Sequence, residues 1–198
     1  MNTGSKRGSG RPRKPEVDAR IHDATISVLT DVGYGRLSYE LVADAADVSR
    51  PTLYRRAAGK AALVVAALID RYGVSPVPDT GTVHGDLLAL QEHQIRFYND
   101  PVIGAALPGL LADIRQDQSA AQTWVEGFVS PRRAGTVAAL RRAKARGEIE
   151  PDTDEDWVCE VITGPLISSA FLTGPRPLPE ERAADTVELV MKAFGRTS

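Results

Sequence analysis

The spacing of apolar residues along the chain predicts a protein built almost entirely from helices. Between residues 16 and 32 the apolar side chains recur at the three- and four-residue spacing of one helical face, and Gly33 follows as a stop signal. The same spacing returns in segments that cover residues 60–72, 83–99, 101–115, 118–130, 132–146, 154–172 and 179–194. No segment alternates apolar and polar residues as a strand does. We therefore predict an all-α fold of about nine helices.

Prolines and glycines indicate where these helices bend or end. Pro108 should interrupt the helix in which it lies, and Pro131 should kink or restart the helical run around it. Gly164 and Pro165 should bend their helix, and residues 174–177 should form the loop before the last helix.

A loop rich in proline and glycine, residues 73–81, is the predicted boundary between two helical units. The first unit covers residues 15–72, and the larger second unit covers residues 82–196. Residues 1–14 have no apolar residue after Met1 and are rich in Gly, Ser, Arg and Lys, which predicts a disordered basic arm.

Residues 38–63 predict two short helices joined by a tight turn and followed by the start of a third. Ser38 should cap the first helix, and Asp47-Val48 should form the turn. Ser49 should cap the second helix by accepting a hydrogen bond from the backbone N–H of Thr52. The residues of the first helix that should face inward are Leu41, Val42, Ala45 and Ala46.

The second short helix buries little and presents polar groups. Leu53 points to the core, and the residues left exposed in varying degrees are Arg50, Thr52, Tyr54 and Arg55. A short helix that offers hydroxyls and cations suits a polyanion, and for a helix-turn-helix that polyanion is DNA, read in the major groove. The alternative is an ordinary solvated polar face.

The charge distribution also favours nucleic acid as the partner of the first unit. Residues 1–72 contain 12 Lys and Arg against 8 Asp and Glu, whereas the remainder contains 12 against 18. A basic first third on an acidic body is typical of a DNA-binding module joined to a part that does not bind DNA. Within the arm, Gly10-Arg11-Pro12-Arg13 resembles the core of an AT-hook, which lies in the minor groove. A merely flexible tail is the alternative for the arm.

The order of motifs in residues 16–72 resembles the tetracycline-repressor (TetR) family of bacterial transcription regulators. An amphipathic helix ends in Gly, Leu-Ser follows near a helix start, and then come Val-Ala-x-Ala-Ala-x-Val-Ser, Thr-Leu-Tyr-Arg and Lys-x-x-Leu. The remainder matches only in length, helicity and two closing amphipathic helices. The resemblance implies a three-helix DNA-binding domain on a larger helical domain that dimerises through its last two helices and often encloses a small-molecule pocket.

The resemblance assigns contacts with DNA to individual residues. Tyr54 and Lys60 should contact phosphates, which fixes the register of the protein without reading the sequence. Thr52 should touch a phosphate or a thymine methyl. Arg50 is the candidate for base reading, because an arginine pairs bidentately with a guanine edge. The further residues expected at the DNA are Ser38 and Tyr39, at a helix N-terminus that favours phosphate, together with Ser49, Arg55, Arg11 and Arg13.

Two positions depart from the family pattern. Asp47 stands where the family usually has Gly in the turn, and Asp tolerates left-handed geometry better than most residues. The chain reads Arg55-Arg56-Ala57-Ala58 where the family usually has an aromatic residue, so we expect a looser joint between the third and fourth helices. Arg56 is then either a further contact with the DNA backbone or a solvated cation.

The last two helices should pair with their copies in a second chain, because a monomer would otherwise expose an apolar stripe. The residues predicted for this homodimer interface are Val161, Leu166, Val187, Val190, Met191 and Phe194. The alternative is that the stripe closes the core of a single chain.

The second unit should also contain the pocket for a small-molecule effector of unknown identity. The residues predicted to line it are His93, Gln94, Phe97, Trp124, Phe128 and Trp157. Core packing is the alternative for each of the aromatic residues. A charged helix face that we expect to be solvated carries Arg132, Arg133, Arg141, Arg142, Lys144 and Arg146.

Several kinds of chemistry find no support in the sequence. The single cysteine, Cys159, excludes an intrachain disulfide and a multi-cysteine zinc site, and it is either an inert buried thiol or a redox sensor. The three histidines have no ligand spacing around them, and no phosphate loop or nucleophile motif is present. We therefore predict no enzyme activity, no metal and no cofactor. Without an apolar run of roughly 20 residues or a signal peptide, the expected location is the cytoplasm.

The leading hypothesis is a dimeric repressor that binds a palindromic operator and is released by a small-molecule ligand. Within the same class, a regulator without a ligand or an activator is the alternative. A nucleoid-associated protein that binds DNA broadly is a third possibility, and an enzyme with a DNA-binding head is a fourth.

Overall fold

The computed structural model describes residues 15–73, 75–173 and 177–196, and these residues are almost entirely helical. The helices are α1 (Pro15–Arg36), α2 (Tyr39–Ala45), α3 (Arg50–Tyr54), α4 (Lys60–Tyr72), α5 (Val83–Tyr98), α6 (Pro101–Ile114), α7 (Gln118–Trp124), α8 (Ser130–Arg146), α9 (Glu155–Phe171) and α10 (Arg182–Phe194). A π-helical turn, Val125–Val129, joins α7 to α8 in one continuous run. Counting that run once gives nine helices and no strand in the described ranges, and the all-α prediction is confirmed. None of these helices is long and apolar enough to cross a bilayer.

Helix α1 follows its predicted stripe. Ile21, Val28 and Leu29 are buried on one face, where they pack against α4 and α6. Gly33 has a φ of 73° and a ψ of 167°, a backbone conformation that glycine adopts without the Cβ clash of other residues. The long segment of α1 therefore ends at Gly33 as predicted, and one further turn carries the buried Tyr34.

The helix-turn-helix forms as predicted, with changes in detail. Ser38 caps α2, because its Oγ accepts a hydrogen bond from the N–H of Leu41 at 3.3 Å, and Asp47 takes a left-handed φ of 50° in the turn. The inward face of α2 was wrong by part of a turn: Leu41 and Ala45 are exposed, whereas Val42, Ala43 and Ala46 are buried. With only seven residues, α2 is set by its contacts with α1 and α3, and its own periodicity has little weight.

The predicted cap of α3 also differs in its partner. Ser49 occupies the N-cap position, but its Oγ pairs with the hydroxyl oxygen of Thr52 at 2.8 Å and makes no side-chain bond to a backbone N–H. The N–H of Thr52 donates instead to the Ser49 carbonyl at 2.8 Å. Pro51 lies in the first turn, where its missing N–H leaves no helical bond unmade.

Helix α4 is covered on several sides and links the two parts of the molecule. Leu63, Val64, Val65, Ala67 and Leu68 are all buried. The helix packs against α1, and it also packs against α6, α7 and the π-helical turn. One apolar cluster consequently runs from α1, α2 and α3 through α4 to α6 and Phe128. Because this cluster crosses the 73–81 boundary, the division into residues 15–72 and 82–196 stays a prediction.

The prolines disturb the helices less than the sequence predicts. The interruption expected at Pro108 is wrong, since α6 runs from Pro101 to Ile114. Pro108 is exposed, so the one carbonyl that it leaves without a helical donor lies near solvent. Helix α9 likewise continues through Pro165. The irregularity expected at Pro131 is the π-helical turn just before it, and Gly147 ends α8 with a left-handed φ of 75°.

A second apolar cluster is formed by α5, α8, α9 and α10. Val187 and Val190 of α10 are buried in it, and Met191 and Phe194 are half-buried against it. Leu166 of α9 is also buried, whereas Val161 is partly covered. The predicted dimer interface is therefore corrected at Leu166, Val187 and Val190. Their side chains already contact their own chain, because α10 lays its apolar stripe on α5.

A buried carboxylate holds the loop that enters α5. Asp86 is fully buried and accepts hydrogen bonds from the Thr80 N–H at 2.6 Å, the Thr80 hydroxyl at 2.8 Å and the Arg142 guanidinium at 2.8 Å. Burial alone would raise the pKa of Asp86, but these donors outweigh it and hold the pKa below its usual value. Arg142, which the sequence assigns to a solvated face, thus pairs with a buried carboxylate while its own side chain stays partly exposed.

Two glycines of α6 provide a test of the contact between α1 and α6. A Cβ at Gly109 would lie 2.5 Å from the ring atom Cδ1 of Tyr34, whereas a Cβ at Gly104 would meet nothing within 4 Å. We expect Gly109→Ala to lower the free energy of unfolding by about 1–3 kcal/mol, because the buried ring has to move. Gly104→Ala should raise it by roughly 1 kcal/mol through helix propensity. Thermal unfolding of both variants decides the matter, and a stabilised Gly109→Ala would contradict the close packing.

Candidate DNA-binding surface and interior cavity

Helix α3 forms the candidate surface for DNA. Of its residues only Leu53 is buried, so the short helix presents most of its side chains to solvent. The predicted contact residues that lie on or next to this face are Ser49, Arg50, Thr52, Tyr54 and Arg55. The predicted Arg11 and Arg13 lie outside the described residues.

Arg50, the residue predicted to read a base, forms only a weak ion pair within its own chain. Arg50 Nη1 lies 3.1 Å from Glu40 Oε1, and both side chains are about half exposed. The Glu40 backbone N–H, the Ser38 hydroxyl and Arg50 lower the pKa of Glu40, which is therefore ionised at neutral pH. An exposed pair of this kind contributes only about 0–1 kcal/mol, so Arg50 can exchange Glu40 for another partner with little loss.

Two tyrosines from different helices stack face to face beside α3. The rings of Tyr39 and Tyr54 are 4.4 Å apart and nearly parallel. The Tyr39 hydroxyl donates to the Ala57 carbonyl at 2.9 Å, and burial raises the pKa of Tyr39. Tyr39 is thus held by its own chain. Tyr54 remains 58% exposed, with its position fixed by the stack.

Hydroxyls connect the remaining polar residues of this face. Thr52 Oγ1 is paired with Ser49 Oγ and accepts a bond from Arg55 Nη2 at 3.1 Å. Ser38 uses its Oγ for the cap of α2. A phosphate at the start of α2 would therefore meet backbone N–H groups and the rim of the tyrosine stack.

Two cationic side chains predicted to approach the DNA already have partners within their own chain. Lys60 Nζ donates to the Tyr34 carbonyl at 3.2 Å and lies 4.2 Å from the centre of the Tyr34 ring. Arg56 forms an ion pair with Asp18 of α1. Arg56 therefore joins α3 to α1 at the point where an aromatic anchor is missing, and the prediction that it reaches the DNA backbone or solvent is corrected. The ammonium of Lys60 has two further N–H donors, so a phosphate can bind Lys60 while the bond to Tyr34 is kept.

A cavity of about 360 Å³ lies in the larger part of the molecule, among α5, α6, α8, α9 and the π-helical turn. Of the predicted lining residues, the structure places Gln94, Phe97, Trp124 and Phe128 in its wall. His93 and Trp157 are not in the lining. Trp157 is 54% exposed on the outer face of α9, and its place in the pocket is corrected.

Aromatic rings form much of the cavity wall. Trp124 and Phe128 stack with ring centres 4.2 Å apart, and Phe97 lies 5.8 Å from Phe128 at a tilt. On the other side Tyr98 meets Phe171 edge to face at 5.8 Å. Cys159 also lines the cavity, and burial raises the pKa of its thiol to about 11, so it is protonated at neutral pH.

Arg132, which was predicted to lie on a solvated face, is the most buried charged group in this wall. Arg132 is 8% exposed, its guanidinium lies 3.8 Å from the centre of the Phe97 ring, and its Nη2 donates to Gln94 Oε1. The signal was the helical phase: Phe128, Arg132 and Gly135 fall on the stripe that continues with Ala139 and Ala143. The helical phase therefore predicts that Arg132 points inward, away from the solvated face of α8.

Both parts of the chain match models of one family of known proteins. Residues 21–67 match the family model "Bacterial regulatory proteins, tetR family", and residues 77–190 match "Tetracyclin repressor-like, C-terminal domain". The chain is 28% identical to the uncharacterized HTH-type transcriptional regulator YdeS of Bacillus subtilis, over 96% of this chain and 93% of that one. It is 31% identical to the DNA-binding transcriptional repressor TetR of Mycobacteroides abscessus, over 79% and 83% of the two chains.

A solved structure agrees with both matches. The TetR family transcription regulator SCO0332 superposes with a TM-score of 0.70 at 27% identity, over 89% of this chain and 97% of that one. Proteins of this family bind DNA and regulate transcription, and they are not enzymes. The chain therefore belongs to the TetR family of helix-turn-helix transcriptional regulators.

Proposed function

We propose that this regulator is a repressor that binds a palindromic operator as a homodimer in the cytoplasm and leaves it when a small molecule enters the cavity. The observation that carries the proposal is α3, which buries Leu53 alone and turns its polar side chains outward beside the tyrosine stack. A relative that is 31% identical bears the name of a DNA-binding transcriptional repressor, which supports repression.

The exposed face of α3 supports a division of labour at the DNA. Arg50 leaves Glu40 to read a guanine edge, because a planar guanidinium matches its two acceptors. Tyr54 and Thr52 contact phosphates through their hydroxyls, and Tyr39 keeps the Tyr54 ring in place. Ser49, Arg55 and the backbone N–H groups at Ser38 and Tyr39 add further contacts to the phosphate backbone.

The outer face of α9 supports a revised dimer interface. Trp157 is 54% exposed and Leu172, just after the helix, is 78% exposed. Gly164 and Ser168 lie between them at helical spacing and are also exposed, so a second helix can approach closely. Leu189 of α10 adds another exposed apolar side chain. A two-fold dimer is what a palindromic site with half-sites about 34–36 Å apart requires.

The π-helical turn supports a route from the cavity to the DNA. Phe128 lines the cavity, and its neighbour Gly127 contacts α4 so closely that a Cβ there would lie 2.6 Å from Cδ1 of Ile69. Tyr72 of α4 meets Phe97 of the cavity wall edge to face at 5.2 Å. A ligand that displaces the aromatic wall would therefore move α4, and α4 begins shortly after α3.

Selection of genomic fragments by the purified protein at two salt concentrations tests the proposed function. We expect one or a few palindromic sites, which remain preferred by about 10³-fold or more over random DNA at the higher salt. Diffuse recovery that collapses with salt would identify a non-specific electrostatic binder and would contradict the operator model.

Arg50→Ala tests the assignment of base reading. We expect the variant to lose about 1–3 kcal/mol of discrimination at one position in each half-site, because the bidentate contact is lost. The matched control is Tyr54→Phe, which keeps the stacked ring and removes one phosphate contact. It should weaken operator and random DNA alike, by about 1 kcal/mol. Binding to a library of singly substituted operators measures both effects, and unchanged base preference in Arg50→Ala would remove it as the reader.

Ser168→Arg tests the interface on α9. The residue is exposed in the single chain, so the variant should fold normally, but two guanidinium groups at a two-fold interface should separate the protomers. We expect a monomer by light scattering and operator binding weakened by about 100-fold or more, because the two half-sites are no longer bound together. The control is Ala145→Arg on an exposed position of α8. An intact Ser168→Arg dimer would place the interface elsewhere.

A further inference from the structure

The guanidinium of Arg132 has fewer hydrogen-bond acceptors around it than it has N–H donors. It carries five N–H donors in a planar fork and a full positive charge. Its Nη2 donates to Gln94 Oε1, while its Nη1 is buried and has no hydrogen-bond partner among the described residues. The ring of Phe97 at 3.8 Å and that of Phe128 at 5.3 Å supply cation–π contacts.

No carboxylate among the described residues neutralises this charge. The groups that act on Arg132 electrostatically are the hydroxyls of Tyr98 and Tyr72, and burial raises the pKa of both to about 12, so they are neutral. Glu160 also lines the cavity, but its side chain is 55% exposed and lies 3.7 Å from Arg133. Burial consequently lowers the pKa of Arg132, as expected for an uncompensated cation.

A neighbouring void offers only a partial alternative. It measures about 10 Å³, is bordered by Arg132 and Gln91, and has room for no more than one water. The Oε1 of Gln91 also lacks a partner in the described part of the chain. One water between these groups would satisfy a single N–H of the guanidinium. It would leave the positive charge without an anion, and burying an unpaired charge is unfavourable.

The rest of the cavity restricts the kind of anion. The stacked rings of Trp124 and Phe128 offer a flat apolar wall, and about 360 Å³ is near the lower end of ligand cavities. A phosphate carries nearly two charges, for which a single buried cation is a poor match, whereas a carboxylate carries one. Thr136 and Thr163 are also lining residues, and each carries a hydroxyl that can donate.

We propose that the effector is a compact, flat and mostly apolar carboxylate, whose carboxylate group binds Arg132 while its body stacks on the Trp124–Phe128 wall. The inference rests on the proposed function in that it names the ligand class of the same cavity. A carboxylate at Arg132 competes with Gln94 for Nη2 and lies next to Phe128 in the π-helical turn. Binding would therefore act at the segment that contacts Ile69 of α4.

The test uses full-length protein without DNA and pairs of probes that differ only in charge. Naphthoate and its primary amide, and benzoate and benzamide, are titrated by calorimetry and by the fluorescence of the tryptophans. We expect at least one acid to bind about 10-fold or more tightly than its amide, the difference that a charge-assisted bidentate contact supplies. Equal affinity within both pairs, or no binding of either acid at millimolar concentration, would overturn the proposal.

Two variants locate the anion. Arg132→Met keeps an apolar side chain of similar length and should abolish the preference for the acid without lowering Tm, because it removes an uncompensated buried charge. The matched control is Arg133→Met, a neighbour at the cavity wall that is paired with Asp156 and Glu160. It should retain the preference. If Arg132→Met fails to fold, Arg132→Lys retains the charge and loses the planar fork, and it should weaken the acid but not the amide.

An acid preference that survives in Arg132→Met, or an acid affinity that is unchanged in Arg132→Lys, would overturn the assignment. Because these titrations contain no DNA, they fail or succeed independently of the operator model. A separate readout, the operator affinity with and without the acid, then tests whether occupancy of the cavity releases the DNA.

Discussion

The burial of α4 against two groups of helices is the constraint on which the rest of the structure depends. Helix α4 keeps Asp70 and Arg71 exposed, but its buried residues contribute to the packing of α1 and also to that of α6, α7 and the π-helical turn. Its first residue follows α3 after a short turn, and its last residues touch the cavity wall through Tyr72. The helix-turn-helix and the cavity wall therefore share one apolar cluster. Close-packed interiors transmit displacement because they have no slack to absorb it.

Arginine serves three different purposes in this chain, and burial decides among them. Arg50 is exposed and weakly paired, so it is free to exchange partners. Arg142 pairs with the fully buried Asp86, whose oxygens are filled by three donors, and this pair fixes the loop before α5. Arg132 is buried beside aromatic rings with no counter-charge among the described residues. Arg50 is therefore suited to recognising DNA, Arg142 to stabilising the fold and Arg132 to binding a ligand.

Periodicity predicted most helices and several of their ends, since long amphipathic stripes and glycine stops act locally. It was wrong at Leu41 and Ala45, because a helix of seven residues is oriented by its neighbours. Periodicity could not decide whether the α10 stripe forms a dimer interface or closes the core of one chain. A partner chain and α5 would cover the same side chains equally well. Periodicity also predicted solvent for Arg132 and Arg142, whose surroundings come from elements distant in sequence. The exposure of α3 was easier to predict, because its polar residues are nearly contiguous and Leu53 alone is buried.

The π-helical turn sets the angular phase of everything that follows it. Trp124, Phe128 and Arg132 succeed one another at intervals of four residues, and all three line the cavity. In a regular α-helix each such interval advances the side chain by about 40°, so the two intervals would turn Arg132 about 80° away from Trp124 around the axis. A wider turn takes back part of that advance. The conformation of this turn is thus as important as the identity of the residues around it: a regular α-helix over the same stretch would turn Arg132 about 80° away from Trp124 and carry its charge off the aromatic wall, with every side chain chemically unchanged.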